Sequence, residues 1–203
     1  MKKMLFIVSL SGVVSAEPTA LYAAQPPADA AFIRILDAQS IPLSVRMGNR
    51  AFEMAFSDVG PYRVVTKGTQ RIQFSQKGKT VDHTLNVEAG RFYSLVVSEG
   101  LSVKTFSDQY SGKLTKSRIH VYNLSGSGLQ IKTSDGKTTL IDSLAPNSYQ
   151  MLSVNPVKAS LGVFENNVRK STTPQTQLVA NTAYSLVVFS PSQAVWTQNS
   201  TQP

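Results

Sequence analysis

The chain has 203 residues, with 20 Lys and Arg against 12 Asp and Glu, for a formal charge of +8. It has no cysteine, which excludes disulfides, thiolate metal centres and a cysteine-linked lipid. The length allows one or two domains, and the positive balance suits a solvated basic surface or an acidic partner such as an anionic polysaccharide or a lipid surface.

The first residues read as an export signal. Lys2 and Lys3 precede a mostly apolar, uncharged stretch over residues 4–14, and Val14-Ser15-Ala16 supplies the small residues a signal peptidase reads. Cleavage is expected after Ala16, which places the mature chain in a bacterial periplasm. The stretch is short of the ~20 residues a spanning helix needs, and later apolar runs such as residues 184–189 are strand-sized. Export, and the lack of a basic-aromatic motif, argue against a nucleic-acid partner.

Residues 17–30 read as a Pro-rich segment, because Pro18, Pro26 and Pro27 lack backbone donors. From Ala31 the pattern becomes strand-like. Phe32, Arg34 and Leu36 interleave with Ile33 and Ile35, and Leu43, Val45 and Met47 with Ser44 and Arg46. Phe52, Met54 and Phe56 follow, then Ile72 and Phe74, then Val81, His83 and Leu85. A period of two puts alternate side chains in a core and the rest in water. Residues 92–97 are nearly all apolar, as in a central strand. Gly48-Asn49, Gly60-Pro61, Lys77-Gly78 and Ala89-Gly90 are the expected turns. Short strands so spaced, without helical periods, predict a β-sandwich.

The second half then repeats the first. Arg34-Ile-Leu-Asp37 corresponds to His120-Val-Tyr-Asn123, and Leu43-Ser-Val-Arg46 to Leu129-Gln-Ile-Lys132, at the same spacing. Tyr93-Ser-Leu-Val-Val97 returns as Tyr184-Ser-Leu-Val-Val188 at a wider spacing, which places an insertion between Tyr149 and Val179. The prediction is therefore all-β: two tandem immunoglobulin-like β-sandwich domains related by an internal repeat, each closing its own core. Their expected bounds are 31–104 and 117–195, with a linker over 105–116 and a polar, frayed tail over 196–203.

Catalytic chemistry finds little support. His83 shares a face with Val81 and Leu85 and reads as a hydrogen-bonded strand histidine. His120 alternates with Ile119 and Val121 and is expected to face solvent or a sheet edge. No histidine pair or carboxylate cluster has metal-ligand spacing. Ser127, between Gly126 and Gly128, reads as part of a hairpin loop, since no base is placed to activate it. Ser134-Asp-Gly-Lys137 reads as a turn rather than a calcium loop. No catalytic, cofactor or metal residue is assigned. Partner contacts are expected from apolar and aromatic groups outside the repeats, namely Leu21 and Tyr22, and Phe106 and Tyr110.

Three sets of segments carry a resemblance. Ala20-Leu-Tyr22 with its proline-rich spacer leads into Ala31-Phe-Ile-Arg-Ile-Leu-Asp37. Gly90-Arg-Phe-Tyr-Ser-Leu-Val-Val97 follows, then Val121-Tyr-Asn-Leu-Ser125 with Leu129-Gln-Ile-Lys-Thr-Ser-Asp-Gly-Lys137. In order and spacing they resemble the AlgF family of alginate O-acetylation proteins, over about residues 20–190. The resemblance implies a soluble periplasmic accessory protein without catalytic residues of its own. It would act as an adaptor between a membrane-bound O-acyltransferase and periplasmic acetyltransferases that modify alginate or a related polymer such as cellulose. Two other readings compete with it. One is direct acetyl transfer to polysaccharide by a residue such as Ser127 or His83. The other is a carbohydrate-binding module using aromatic platforms such as Tyr62, Tyr110, Tyr122 or the single tryptophan, Trp196.

Overall fold

The structure is a computed structural model, and it describes residues 26–110 and 113–202. The expected signal sequence and residues 17–25, with Leu21 and Tyr22, lie outside the described residues.

Nine strands come first along the chain: β1 (Ala30–Asp37), β2 (Leu43–Met47), β3 (Arg50–Met54), β4 (Asp58–Val59), β5 (Tyr62–Thr66), β6 (Gly68–Gln76), β7 (Lys79–Val87), β8 (Phe92–Ser98) and β9 (Ser102–Asp108). The rest follow: β10 (Ser117–Asn123), β11 (Leu129–Thr133), β12 (Thr139–Leu144), β13 (Ser148–Val154), β14 (Lys158–Ala159), β15 (Leu161–Glu165), β16 (Val168–Thr172), β17 (Thr176–Gln177), β18 (Ala183–Ser190), β19 (Gln193–Gln198) and β20 (Thr201–Gln202). Among the described residues the one helical turn is the short Glu99–Leu101.

The strands build four principal sheets. An outer sheet β3-β2-β6-β7 faces an inner sheet β5-β1-β8-β9; a second inner sheet β13-β10-β18-β19 faces a second outer sheet β12-β11-β15-β16. Both halves thus show one strand order, with the first strand parallel to the penultimate one: β1 to β8, and β10 to β18. The second half adds the small ladder β14–β17, which falls inside the stretch where the repeat spacing widens.

Alternation explains the cores. Ile33, Ile35, Leu95 and Val97 point from the first inner sheet at Leu43, Val45, Ile72 and Phe74 of its outer sheet. Ile119, Val121, Leu186 and Val188 meet Ile131, Ile141, Leu161 and Val163 in the second half. The turns follow the same logic. Lys77 and Gly78 both have positive φ, as a two-residue hairpin between right-twisted strands requires. Asn166 and Asn167 do the same between β15 and β16.

The structure departs from the sequence expectation on the other face of the inner strands. All eight residues of β1 and all seven of β10 are buried. The two inner sheets pack against each other, so Leu36, Val96, Tyr122 and Val187 form an apolar cluster between the halves. The molecule is a stack of four layers, outer, inner, inner, outer. The expected linker also shortens at its start, because residues 105–108 belong to β9, which pairs with β8 along its whole length. The expected frayed tail is ordered by pairing. Residues 193–198 form β19 against β18, and β20 adds to the free edge of β5 in the first half.

Candidate functional site

The middle of the stack holds the largest concentration of buried polar chemistry among the described residues. Arg34 projects from β1 away from its own core, because its neighbours Ile33 and Ile35 take the core positions. It is 1% exposed. Its Nε donates to Ser94 Oγ at 2.7 Å, its Nη2 to the Tyr122 hydroxyl at 2.8 Å, and its Nη1 to Asn199 Oδ1 at 3.1 Å. Ser94 lies directly opposite Arg34 on β8; Tyr122 and Asn199 come from the second half. The guanidinium also sits 4.4 Å from the Tyr62 ring centre and 5.2 Å from that of Tyr122.

Its counter-charge is Asp108, at the end of β9. Asp108 accepts from Tyr62 at 2.6 Å, from Ser94 at 2.5 Å and from the Tyr122 hydroxyl. Two hydroxyls, Ser94 and Tyr122, therefore each accept from Arg34 and donate to Asp108, so the buried charges are joined through relays. Burial pushes the Asp108 carboxyl up, while Arg34 and the three hydroxyl donors work against that rise. Burial opposes the charge on Arg34, yet Tyr62, Tyr122 and Asp108 outweigh it and hold the guanidinium protonated. The Tyr62 and Tyr122 hydroxyls are pushed well above the usual phenol range, chiefly by burial, so both stay neutral donors.

Asn199 locks the far side. Its Oδ1 also accepts from Ser185 Oγ at 2.7 Å, and its Nδ2 donates to the Tyr110 hydroxyl at 3.0 Å. Tyr110 stacks on Phe92 with centroids 3.8 Å apart. Beside this cluster lies His120, fully buried rather than solvent-facing as its alternation had suggested. Its Nδ1 is 3.0 Å from the Tyr149 hydroxyl, which accepts from the Gln109 amide at 2.9 Å. Its Nε2 is buried without a hydrogen-bond partner among the described residues. Burial, then Arg34 and Arg118, hold the imidazole down to about 3, so it is neutral.

These contacts relocate several expected residues. Phe106 and Tyr110, read as partner contacts, pack inside the seam; Phe106 meets the rings of Tyr122 and Tyr149 at 5.7 and 6.1 Å. Tyr62 and Tyr122, read as sugar platforms, are 1% and 0% exposed. Trp196 lies on β19 rather than beyond the repeat, stacked on Tyr184 at 5.5 Å and donating to Thr176 at 3.0 Å. His83 is half-buried on β7, 3.5 Å from Thr105 Oγ1. Ser127 sits in the β10–β11 loop, where its carbonyl accepts from Asn123 at 2.8 Å and its hydroxyl bonds to Glu165. Reading one face of each strand as wet hid the seam from the sequence. The available signal was Arg34 and His120 at equivalent places in two otherwise apolar strands.

Fold and seam together define an all-β protein of two sheet pairs fastened face to face through a buried charge network. Residues 6–184 match the family model described as "Alginate O-acetyl transferase AlgF", and the chain belongs to the AlgF family. It is similar to the alginate biosynthesis protein AlgF of Pseudomonas aeruginosa, 29% identical over 161 residues, covering 77% of this chain and 71% of the relative. It is similar also to that of Azotobacter vinelandii, 30% identical over 156 residues, covering 75% and 69%. The solved C-terminal domain of AlgF from P. aeruginosa aligns with 33% identity and a TM-score of 0.38, over 42% of this chain and 99% of that one. The family model carries the word transferase, whereas the curated relatives are named as biosynthesis proteins.

Proposed function

We propose that the chain is a non-catalytic periplasmic adaptor for the O-acetylation of an exported polysaccharide, alginate or a related polymer such as cellulose. It links a membrane-bound O-acyltransferase to periplasmic acetyltransferases. The reading takes the two halves as tandem immunoglobulin-like domains and residues 1–16 as a cleaved signal. Leu21 and Tyr22 remain its N-terminal candidates for partner contact. Family membership supports the pathway. One structural observation supports the adaptor role: the densest buried polar chemistry among the described residues is spent between the two halves, from Arg34 through Asp108 to Asn199. Such a seam holds two outer sheets at a fixed separation, which a bridging protein needs. Among the described residues no helix is long and apolar enough to cross a membrane.

The test is deletion of the gene, with acetyl content of the polymer as the readout. Acetylation is expected to fall, and the tagged protein to co-purify with the membrane acyltransferase; unchanged acetylation refutes the reading. A second reading, direct acetyl transfer, is favoured by the wording of the family model. It requires that Ser127→Ala or His83→Ala abolish acetylation in cells, and undiminished acetylation in both removes it.

A further inference from the structure

The first half has an open side between its two sheets, away from the seam. There a groove of about 300 Å³ runs between the β2–β3 turn, with Gly48, Asn49 and Arg50, and the strand β5, with Arg63, Val64 and Thr66. Three observations single it out.

The groove exposes a sheet edge. β20 covers β5 only at Tyr62 and Arg63, and past Arg63 no described strand pairs with that side of β5. The Tyr62 amide donates outward to Ser200. Alternation along a strand then turns Val64 and Thr66 the same way, and Arg63 and Val65 toward β1. The Thr66 carbonyl is already capped by Gln70 Nε2 at 2.7 Å, which leaves its N–H facing the groove.

The second observation is Arg63. Its guanidinium lies 3.7 Å from the centre of the Phe52 ring and has no hydrogen bond or ion pair among the described residues. Stacking fixes the plane of the fork while its donors stay available, an arrangement suited to a carboxylate. The third is charge: the groove is lined by Arg50 and Arg63 and by no acidic residue. Glu53 and Asp58 line a separate hollow of about 80 Å³ that Arg63 also reaches, without coming into ion-pair distance. Burial and the neighbouring Arg50 both work against the charge on Arg63.

We propose that this groove docks an extended, acidic segment of a partner polypeptide, which adds to β5 where β20 stops and sets a carboxylate on Arg63. Strand addition supplies affinity through the backbone, and the arginine selects the acidic side chain. As a statement about the biological partner this rests on the adaptor reading. Binding itself is measured on the purified chain, so its failure is separable from a failure of that reading in cells.

The experiment is an amide-resolved NMR titration of the full mature chain with a synthetic octapeptide of alternating Glu and Val, against its Gln-Val counterpart. The acidic peptide is expected to shift the amides of residues 63–66. Arg63→Ala, or Arg63→Gln if the alanine variant misfolds, should bind about tenfold more weakly, as loss of a guanidinium–carboxylate pair predicts. Thr66→Pro, which deletes an outward N–H, should abolish binding, and Lys137→Ala in the second half should leave it unchanged. Equal binding of the Gln-Val peptide, or unchanged affinity in the Arg63 variants, overturns the proposal. So does a uronic-acid oligosaccharide that shifts the same amides at lower concentration, because the occupant is then a polymer. Deletion of residues 17–25 that by itself shifts these amides also overturns it, because the occupant is then the chain's own N-terminal segment.

Discussion

At the residue scale, the seam concentrates its energetics in a few ionisable groups. Arg34 and Asp108 are a buried pair, and removing one charge leaves the other without compensation. Arg34→Met is expected to cost about 3–5 kcal/mol in urea unfolding. Adding Asp108→Leu should recover part of that loss, since the pair as a whole is worth less than either half suggests. His120 supplies one pH dependence. Its folded-state value of about 3 lies below the ordinary 6.5, so between them the unfolded chain binds the extra proton. The His120 contribution is therefore full above about pH 6.5 and is lost as the pH drops toward 3, with a limiting slope of about 1.4 kcal/mol per pH unit from this group alone. His120→Gln should remove that contribution, and a pH profile of stability unchanged in the variant would show that His120 is not its source.

At the scale of elements, the equivalent strands β1 and β10 end in different residues, Asp37 and Asn123, doing related work. Each accepts the amide two residues on, from Gln39 and Ser125 at 3.0 Å. Asn123 also donates its amide to the carbonyls of Ser127, Leu144 and Ala145, whereas Asp37 Oδ2 is buried without a partner. Burial, with Asp58 nearby, pushes the Asp37 carboxyl up to about 6 against the backbone hydrogen bond from Gln39. Raised above its ordinary value of 3.8, it contributes stability that is full below that value and lost as the pH rises through 6. Asp37→Asn should therefore stabilise the fold by about 1–3 kcal/mol at pH 7.5 and by little at pH 3.5; denaturation midpoints at the two values check this. The strands themselves were readable from alternation, because a half-buried strand writes its core face every second residue. Even the Lys77-Gly78 turn follows from its residues. What alternation does not carry is what covers the second face. Arg34, His120 and Ser185 look wet by residue type, and only the meeting of β1 and β8 with β10 and β18 makes them interior. The C-terminal segment escaped for a similar reason, since Asn199 is polar and its partners lie at Arg34, Ser185 and Tyr110, far away in sequence.

At the scale of the whole molecule, the four layers are expected to move as one body. Scattering from the full chain should fit the stacked arrangement. Truncation after Gln198, which removes Asn199 and β20 together, should enlarge the radius of gyration while leaving both sandwich cores folded by circular dichroism. An unchanged radius would mean that the apolar cluster around Leu36, Tyr122 and Val187 suffices to hold the halves. Proteolysis within residues 109–116 should likewise nick the full chain without separating its halves.

The layering also has a mechanical consequence. Backbone ladders run within sheets, so a pull applied between the two outer sheets crosses every layer at right angles to those ladders. Side-chain contacts bear most of it; at the middle plane, beside the short β20–β5 ladder and the chain connection, they rest on a small number of directional bonds around Arg34 and Asp108. Under tension those bonds shear early and together, with little stretch beforehand. The stack would behave as a stiff spacer with a built-in tear line, parting along the seam while each sandwich stays intact.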